Sequence, residues 1–582
     1  MKKKLVPALC AGAILVLIIA IVCISAIIHK YSYSKEHQDL NEFYNISSEE
    51  QVAIVLNHEL LDTQAKLEND SIYLDYQFVH DRINPRFYWD ANENILLYAT
   101  ERDLYSVNAD KTSYQVNKAN TEYGKMIVRP TVDSAYIEID FVSMFSSFTY
   151  EYYENPKRLI ITSNFGDITV ASSKKDTQIR AKGGIKSPIL TDVKKGDKLT
   201  VLETDEKWTK VADANGFVGY MPSKQLVNIS TETLESDFEE ETFSHIEKPG
   251  KICMAWHQVT NQTANGEIAN VLARTKGINV ISPTWFYLND NSGNLADLAS
   301  QNYVSYCHDH DIEVWGLVSN LENKDVDSSY VLTHTSTRQN LVNQIVANAI
   351  KYELDGINLD FESLNGKEVG DAYIQFVREL SIKCGNNGLV LSIDNYVPSA
   401  YTSFYNRSEQ AKFADYVIIM GYDEHYAGSE QAGSVASIGF ERTGIEKTLE
   451  EVPANKVISG IPFYTRLWAE TPKTEEQLAE ENDNEEYIPY TLSSDAIGMK
   501  KAESLLTAED GSQIEPVWNE ETAQYYAEFT REGVTYKIWL EDVRSLEEKM
   551  KLVKEYNLAG VSAWKLGLEK SEVWDVIGEG LE

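Results

Sequence analysis

The octapeptide Asp355-Gly356-Ile357-Asn358-Leu359-Asp360-Phe361-Glu362 decides the reading of this chain. On an extended strand, side chains alternate between faces, so Asn358, Asp360 and Glu362 share one side and Ile357, Leu359 and Phe361 the other. In a closed parallel barrel the apolar set faces an outer layer of helices and the polar set faces the lumen. Two carboxyls and an amide in such an interior are costly to desolvate unless they are paired or used. Glu362 comes last, at the C-terminal strand end where barrel chemistry sits. Burial and the neighbouring Asp360 both raise its pKa, which keeps it protonated as a general acid. A solvated strand end in an open sheet would not need this double parity.

Outward from this strand, short apolar runs alternate with amphipathic helices. Candidate strands are Ile252–Trp256, Ile278–Ser282, Ile312–Val318, Gly356–Glu362, Leu389–Ile393, Tyr416–Met420, Val457–Ile461 and Gly560–Trp564. Before the fourth, Ser336-Thr-Arg-Gln339 reads as a capping box, and Leu341, Val342, Ile345, Val346, Ala349 and Ile350 as one helix face. Eight strands alternating with helices over residues 251–582 predict a (β/α)8 barrel. The gap between the last two strands is too long for one helix and predicts an insertion at about 463–557, on the ligand-facing rim.

The N-terminal half reads differently. Lys2, Lys3 and Lys4 precede an almost unbroken apolar stretch from Leu5 to Ile28. Twenty-four residues at about 1.5 Å each span about 36 Å, against a hydrocarbon core of about 30 Å. The stretch is longer than a cleavable signal core and lacks a convincing cleavage site, so residues 1–29 are expected to be an uncleaved signal anchor. The lysines stay inside and the rest of the chain is exported as a single-pass membrane protein, or secreted if the anchor is cut. Residues 30–70 read as a stalk. Alternating runs such as Ile72-Tyr73-Leu74-Asp75-Tyr76 and Ala135-Tyr136-Ile137-Glu138-Ile139 predict a β-rich domain over 71–168. Five short strands follow within 169–227, with turns at Gly196-Asp197 and Asn215-Gly216. Residues 228–250 are acidic and end in Pro249-Gly250, as a linker does.

Composition narrows the partners. Lys and Arg total 53 against 90 Asp and Glu, a formal charge of −37. That field repels phosphate backbones and argues against nucleic-acid binding. Five cysteines are too few for a disulfide framework. Cys307-His308-Asp309-His310-Asp311 has a metal-like look but sits before the third strand, away from the chemistry. No metal and no cofactor are expected, and the chain is expected to act as a monomer.

Several resemblances attach to these residues. Asn84-Pro85-Arg86-Phe87-Tyr88-Trp89-Asp90 resembles the small stalk-like domain at the N-terminus of copper amine oxidases, with no His cluster and so no implied copper. Trp208-Thr-Lys-Val211 with Gly219-Tyr220-Met221-Pro222-Ser223 resembles a bacterial SH3-like domain, which implies binding of wall peptides or a spacer role. The Asp355–Glu362 strand resembles the Asp-x-x-Asp-x-Asp-x-Glu strand of glycoside hydrolase family 18. Met420-Gly421-Tyr422-Asp423, Lys456-Val-Ile-Ser-Gly460-Ile-Pro-Phe-Tyr464 and Ala563-Trp564 resemble its sixth, seventh and eighth strands, in the family's order.

The resemblance implies a retaining, substrate-assisted glycosidase acting on N-acetylated amino sugars. Glu362 would be the general acid and base, Asp360 would orient the acetamido N–H, and Tyr422 would donate to the acetamido oxygen. Asn358, Met420, Asp423 and Trp564 would line the sugar site, while Asp355 and Gly356 belong to the structural motif. Trp256, Trp285 and Trp315 could stack on sugars or fill the core. Glu541-Asp542 could belong to the cleft wall or cap a helix. Asn358 stands where the family carries a second Asp, so a charge relay through that position is shortened. The Asp-Gly-x-Asn-x-Asp-Phe-Glu variant resembles the family's branch of spore-cortex and cell-wall N-acetylglucosaminidases, and that resemblance implies peptidoglycan over chitin as substrate. The alternatives are a chitinase, an endo-β-N-acetylglucosaminidase, or a silent wall-glycan lectin.

Overall fold

The computed structural model describes residues 5–480, 488–507 and 511–582, so Lys2–Lys4 and two short parts of the expected insertion lie outside the described residues. The chain divides into two compact units. One comprises Met1–Trp89, Val107–Tyr114 and Thr121–Glu240, and the other Asp90–Ser106, Gln115–Asn120 and Glu241–Glu582.

The first unit begins with the helix Leu5–Tyr31. Within it Leu9–Tyr31 has a mean hydropathy of 3.1, long and apolar enough to cross a membrane. Strands start earlier than the alternation suggested: Gln51–Leu56 and Glu59–Glu68 lie within the expected stalk and join a seven-stranded sheet. All five strands expected in the SH3-like region form, as Thr177–Arg180, Ile189–Val193, Lys198–Thr204, Trp208–Asp213 and Val218–Pro222. Two further strands complete that sheet, Gly166–Ser173 and Leu226–Leu234, so the acidic stretch begins as paired strand and not as free linker. One apolar cluster containing Ala53, Val55, Ile179, Leu190, Leu199, Val211 and Met221 closes both sheets on a shared core.

The second unit is an eight-stranded parallel barrel. Its strands are β1 Ile252–His257, β2 Val280–Pro283, β3 Glu313–Ser319, β4 Gly356–Asp360, β5 Val390–Tyr396, β6 Tyr416–Met420, β7 Val457–Pro462 and β8 Gly560–Trp564. Each pairs in parallel with its neighbours, and β8 closes on β1. Both faces of such strands are covered, which is why runs like Tyr416–Met420 are apolar and buried throughout. Phe361 packs outward on Phe376 with ring centroids 5.3 Å apart. Inside, Ile252, Met254, Trp315, Val390 and Ile418 form an apolar floor. Gly356 is required by close packing, since a Cβ there would sit 2.8 Å from Trp315 Cδ1 and 2.9 Å from Val390.

The helices around the barrel include α1 Thr335–Lys351, α2 Ala372–Asn386, α3 Ile438–Leu449 and α4 Val543–Glu555. Helix α1 buries Leu341, Val342, Ile345, Val346 and Ala349, whereas Ile350 is exposed. The expected capping box at Ser336 does not form. The amide and hydroxyl of Thr335 donate to Asp90 Oδ2, both at 2.6 Å, and the Ser336 amide donates to Glu93 Oε2 at 3.0 Å. Carboxylates from a distant segment thus meet the orphan amides of the first turn.

Between β7 and β8 stands an antiparallel sheet in the order Tyr490–Gly498, Tyr464–Pro472, Val534–Leu540, Gln524–Arg531, Val517–Asn519. The inserted sheet therefore ends at Leu540, and the last part of the expected insertion is the barrel helix α4.

Candidate active site

The polar parity of β4 builds a vertical gradient in the lumen. Asn358 is wholly buried and saturated: its Oδ1 accepts from Trp256 Nε1 (2.8 Å) and Ser282 Oγ (2.9 Å), and its Nδ2 donates to Asp394 Oδ1 (2.8 Å) and Ser392 Oγ (3.2 Å). One level up, a cavity of about 160 Å³ opens, lined by Trp256, Asp360, Glu362, Asp394, Tyr396, Met420, Tyr422, Asp423 and Trp564. Neither Lys nor Arg is among these described lining residues. Asn358 supports the cavity from beneath and offers no free atom to a ligand.

Glu362 lies two residues past the end of β4 and is held through its backbone. Its amide donates to Asn320 Oδ1 (2.8 Å), and Asn320 Nδ2 donates back to its carbonyl (2.9 Å). Tyr405 OH donates to the carbonyl of Phe361 (2.9 Å). Burial pushes the Glu362 carboxyl above its ordinary range; the Tyr396 hydroxyl opposes this, and the charges of Asp423 and Glu322 reinforce it. Asp360 is raised much further, by desolvation first and then by Glu362, Asp394 and Glu322. Its Oδ1 is buried with no hydrogen-bond partner among the described residues. Asp394 is likewise raised by burial, against the hydrogen bond from Asn358. The charges of these neighbouring carboxyls oppose one another's ionisation, in the same direction as burial.

The walls are aromatic. Trp256 meets Tyr422 edge-on at 6.4 Å and Trp564 at 5.8 Å. Asp423, in the left-handed region at φ 59°, accepts from Tyr464 OH at 2.6 Å.

The structure thus brings Asp360, Glu362, Met420, Tyr422, Asp423 and Trp564 together. It does not bring Trp285, which is fully buried, donates to Asn265 Oδ1 (2.8 Å) and packs edge-on against Tyr303. It offers no face to a sugar. Trp315 is also core, stacked on Tyr416. Asp355 Oδ2 pairs with His308 Nε2 and accepts the Val314 amide, both at 2.8 Å, at the opposite barrel end from Glu362. Asp542 caps α4 in a capping box with Ser545, and Glu541 is buried behind the cleft.

Sequence reasoning missed Asp394, Tyr396, Asn320 and Glu322. The first two had a signal: Ser392-Ile393-Asp394-Asn395-Tyr396 continues the inward parity of β5 past the point where the apolar run ends. Asn320 and Glu322 follow β3 in a loop, where no periodicity marks them.

The model of the bacterial SH3 domain matches residues 175–227. The "Uncharacterized glycosylase YvbX" of Bacillus subtilis is 26% identical over 314 residues, 52% of this chain and 85% of that one. The "Cortical fragment-lytic enzyme" of the same organism is 29% identical over 276 residues, 45% of this chain, which spans only 59% of that enzyme's length. A solved C-terminal domain from Desulfitobacterium hafniense superposes with a TM-score of 0.50 at 20% identity, over 57% of this chain and 100% of that one, a likeness of fold alone. The model of "Glycosyl hydrolases family 18" matches residues 256–569, more than half of the chain, including every residue that lines the acidic cavity. This chain belongs to glycosyl hydrolase family 18 and is a glycosidase related to cortex-lytic enzymes and chitinases.

Proposed function

We propose that the chain is a membrane-anchored hydrolase of N-acetylglucosamine-containing wall glycan, with its barrel outside the cell and peptidoglycan as its substrate. The carrying observation is the convergence of Asp360, Glu362, Asp394, Tyr422 and Asp423 on one aromatic-walled cavity.

Glu362, its carboxyl pushed upward by burial, protonates the glycosidic oxygen as the C1–O bond breaks. The sugar's own acetamido carbonyl closes on C1 to form an oxazolinium, so the intermediate is internal to the substrate. Asp360 Oδ1, without a hydrogen-bond partner among the described residues, accepts from the acetamido N–H and faces the positive charge that develops beside it. Tyr422 OH donates to the acetamido oxygen. Water then attacks C1 with Glu362 as base, and configuration is retained. Trp256 and Trp564 supply flat apolar surface for the ring, and Asp423 accepts from sugar hydroxyls. Asn358 stands where a second carboxylate would complete a relay. Asp394 acts on Asp360 through its charge while the amide holds it in place.

The helix Leu9–Tyr31 supports anchoring, and the relationship to a cortical fragment-lytic enzyme supports wall glycan over chitin. Purified peptidoglycan and chitin oligomers, digested side by side with mass analysis of the products, test this. Peptidoglycan fragments bearing new reducing ends are expected. Turnover of chitin alone would make the chain a chitinase, and saturable binding without new reducing ends would make it a lectin.

A further inference from the structure

The loop between β6 and α3, residues 421–437, carries Tyr422 and Asp423 to the cavity and then folds back on itself. The Glu424 amide donates to Val435 O (2.9 Å), and the His425 amide to Ser434 O (3.2 Å). The inserted sheet ties this loop down at separate points. Tyr464 OH donates to Asp423, Trp468 Nε1 to Gly433 O (2.9 Å), and Ser434 Oγ to Gln524 Oε1 (2.5 Å). The Ile438 amide, just past the loop, donates to Thr522 O (3.1 Å).

Gln524 is the deepest of these ties. It is wholly buried, and its amide nitrogen donates onward to Glu541 Oε1. Glu541 also accepts from Ser545 Oγ (2.8 Å) and lies 3.6 Å from Lys549 Nζ. Lys549 bonds Glu441 on α3 (2.5 Å) and donates to the carbonyl of Ala436. A Cβ at Gly421 would meet Glu441 Cγ at 3.1 Å, so this network lies directly behind the residue preceding Tyr422. No step of the proposed reaction uses it.

We propose that Gln524 is a positioning residue: by accepting from Ser434 and donating to Glu541, it holds loop 421–437 where Tyr422 and Asp423 meet the reacting sugar. This rests on the roles proposed above for those two residues. The amide side chain fits the task because it supplies one fixed acceptor and one fixed donor that do not titrate. The groups around it do. Two buried carboxyls, Glu441 and Glu541, share one ammonium, and burial pushes each up to about 7. The charged and titratable groups facing them are Lys549 and Asp542 on α4, Glu424 on the loop and Tyr464 on the inserted sheet. A glutamate at 524 could replace the amide only while it and Glu541 share a proton. When both ionise they repel and the tie opens.

The test is steady-state kinetics of the full chain on wall glycan with Gln524→Leu and Gln524→Glu, at about pH 5 and about pH 8, against wild type at each pH. Gln524→Leu should lower kcat about tenfold at both, with KM within about twofold. Gln524→Glu should stay within about threefold of wild type in acid and fall to the leucine variant's level in alkali. A Gln524→Glu variant whose kcat ratio to wild type does not change with pH would overturn the proposal. So would a loss appearing only in KM. If the leucine variant does not fold, the change in the glutamate variant's kcat ratio between acid and alkali decides alone. Gln524 variants equal to wild type while Glu362→Gln is dead would remove only the positioning role; a fully active Glu362→Gln would remove the active-site reading itself.

Discussion

Asn358 Nδ2 donates to Asp394 Oδ1 across 2.8 Å, while its Oδ1 receives the Trp256 indole and the Ser282 hydroxyl. A neutral amide here reconciles one buried carboxyl with two donors. Asn358→Asp would remove both N–H donors and set a second carboxyl against Asp394. We expect a loss of about 2–4 kcal/mol at neutral pH. The added carboxyl has a raised folded pKa, so the loss should shrink as pH falls toward about 4. Thermal melts of the two proteins across pH check this.

Asp360 shows the same linkage in the native chain. Its folded pKa lies well above 3.8, so its stabilising contribution is complete below the unfolded value and is lost as pH rises through the folded one. Asp360→Asn removes that loss. The variant should melt higher than wild type at neutral pH, with the gap closing by about pH 4, and its kcat should fall at least about a hundredfold. A melting point that drops at neutral pH would refute the reading of Asp360 as a destabilising, functional carboxyl.

Glu322 lies on the loop after β3, held by Ser319 Oγ at 2.6 Å, and its charge helps to raise both Glu362 and Asp360. With that charge gone, Glu362 should lose its proton at lower pH. Glu322→Gln is therefore expected to move the alkaline limb of the kcat/KM profile downward while leaving the peak rate within about twofold. An unmoved limb would detach Glu362 from that limb.

Tyr464→Phe removes the hydrogen bond that Asp423 receives from Tyr464 on the inserted sheet. A single bond of this kind contributes about 1 kcal/mol, so kcat/KM should fall about fivefold. Stability should fall by no more than about 1 kcal/mol, because the ring stays packed edge-on against Tyr422. Kinetics and a melting curve on the same sample separate the two effects.

The barrel was legible because each inner strand repeats one rule. The parity of Asn358, Asp360 and Glu362 against Ile357, Leu359 and Phe361 survives in the structure residue for residue, and Tyr416–Met420 and Gly560–Trp564 have the bounds their apolar runs predict. The failures lie where partners come from afar. Nothing local announces that Asp90 and Glu93 meet the first turn of α1, so Ser336 and Gln339 read as a capping box. Trp285 follows β2 by two residues, but its indole turns to Asn265 instead of the lumen, a choice set by tertiary packing. Asp394 was overlooked because its inward parity outlasts the hydrophobic run that marked the strand.

Turnover of wall glycan by Glu362→Gln tests the account most directly. The substitution keeps the size of the side chain and leaves the backbone bonds to Asn320 in place, but removes the acidic proton. The variant should bind glycan and melt near wild type while releasing reducing ends at least about a thousandfold more slowly. Release at the wild-type rate from that folded variant would contradict proton donation by Glu362.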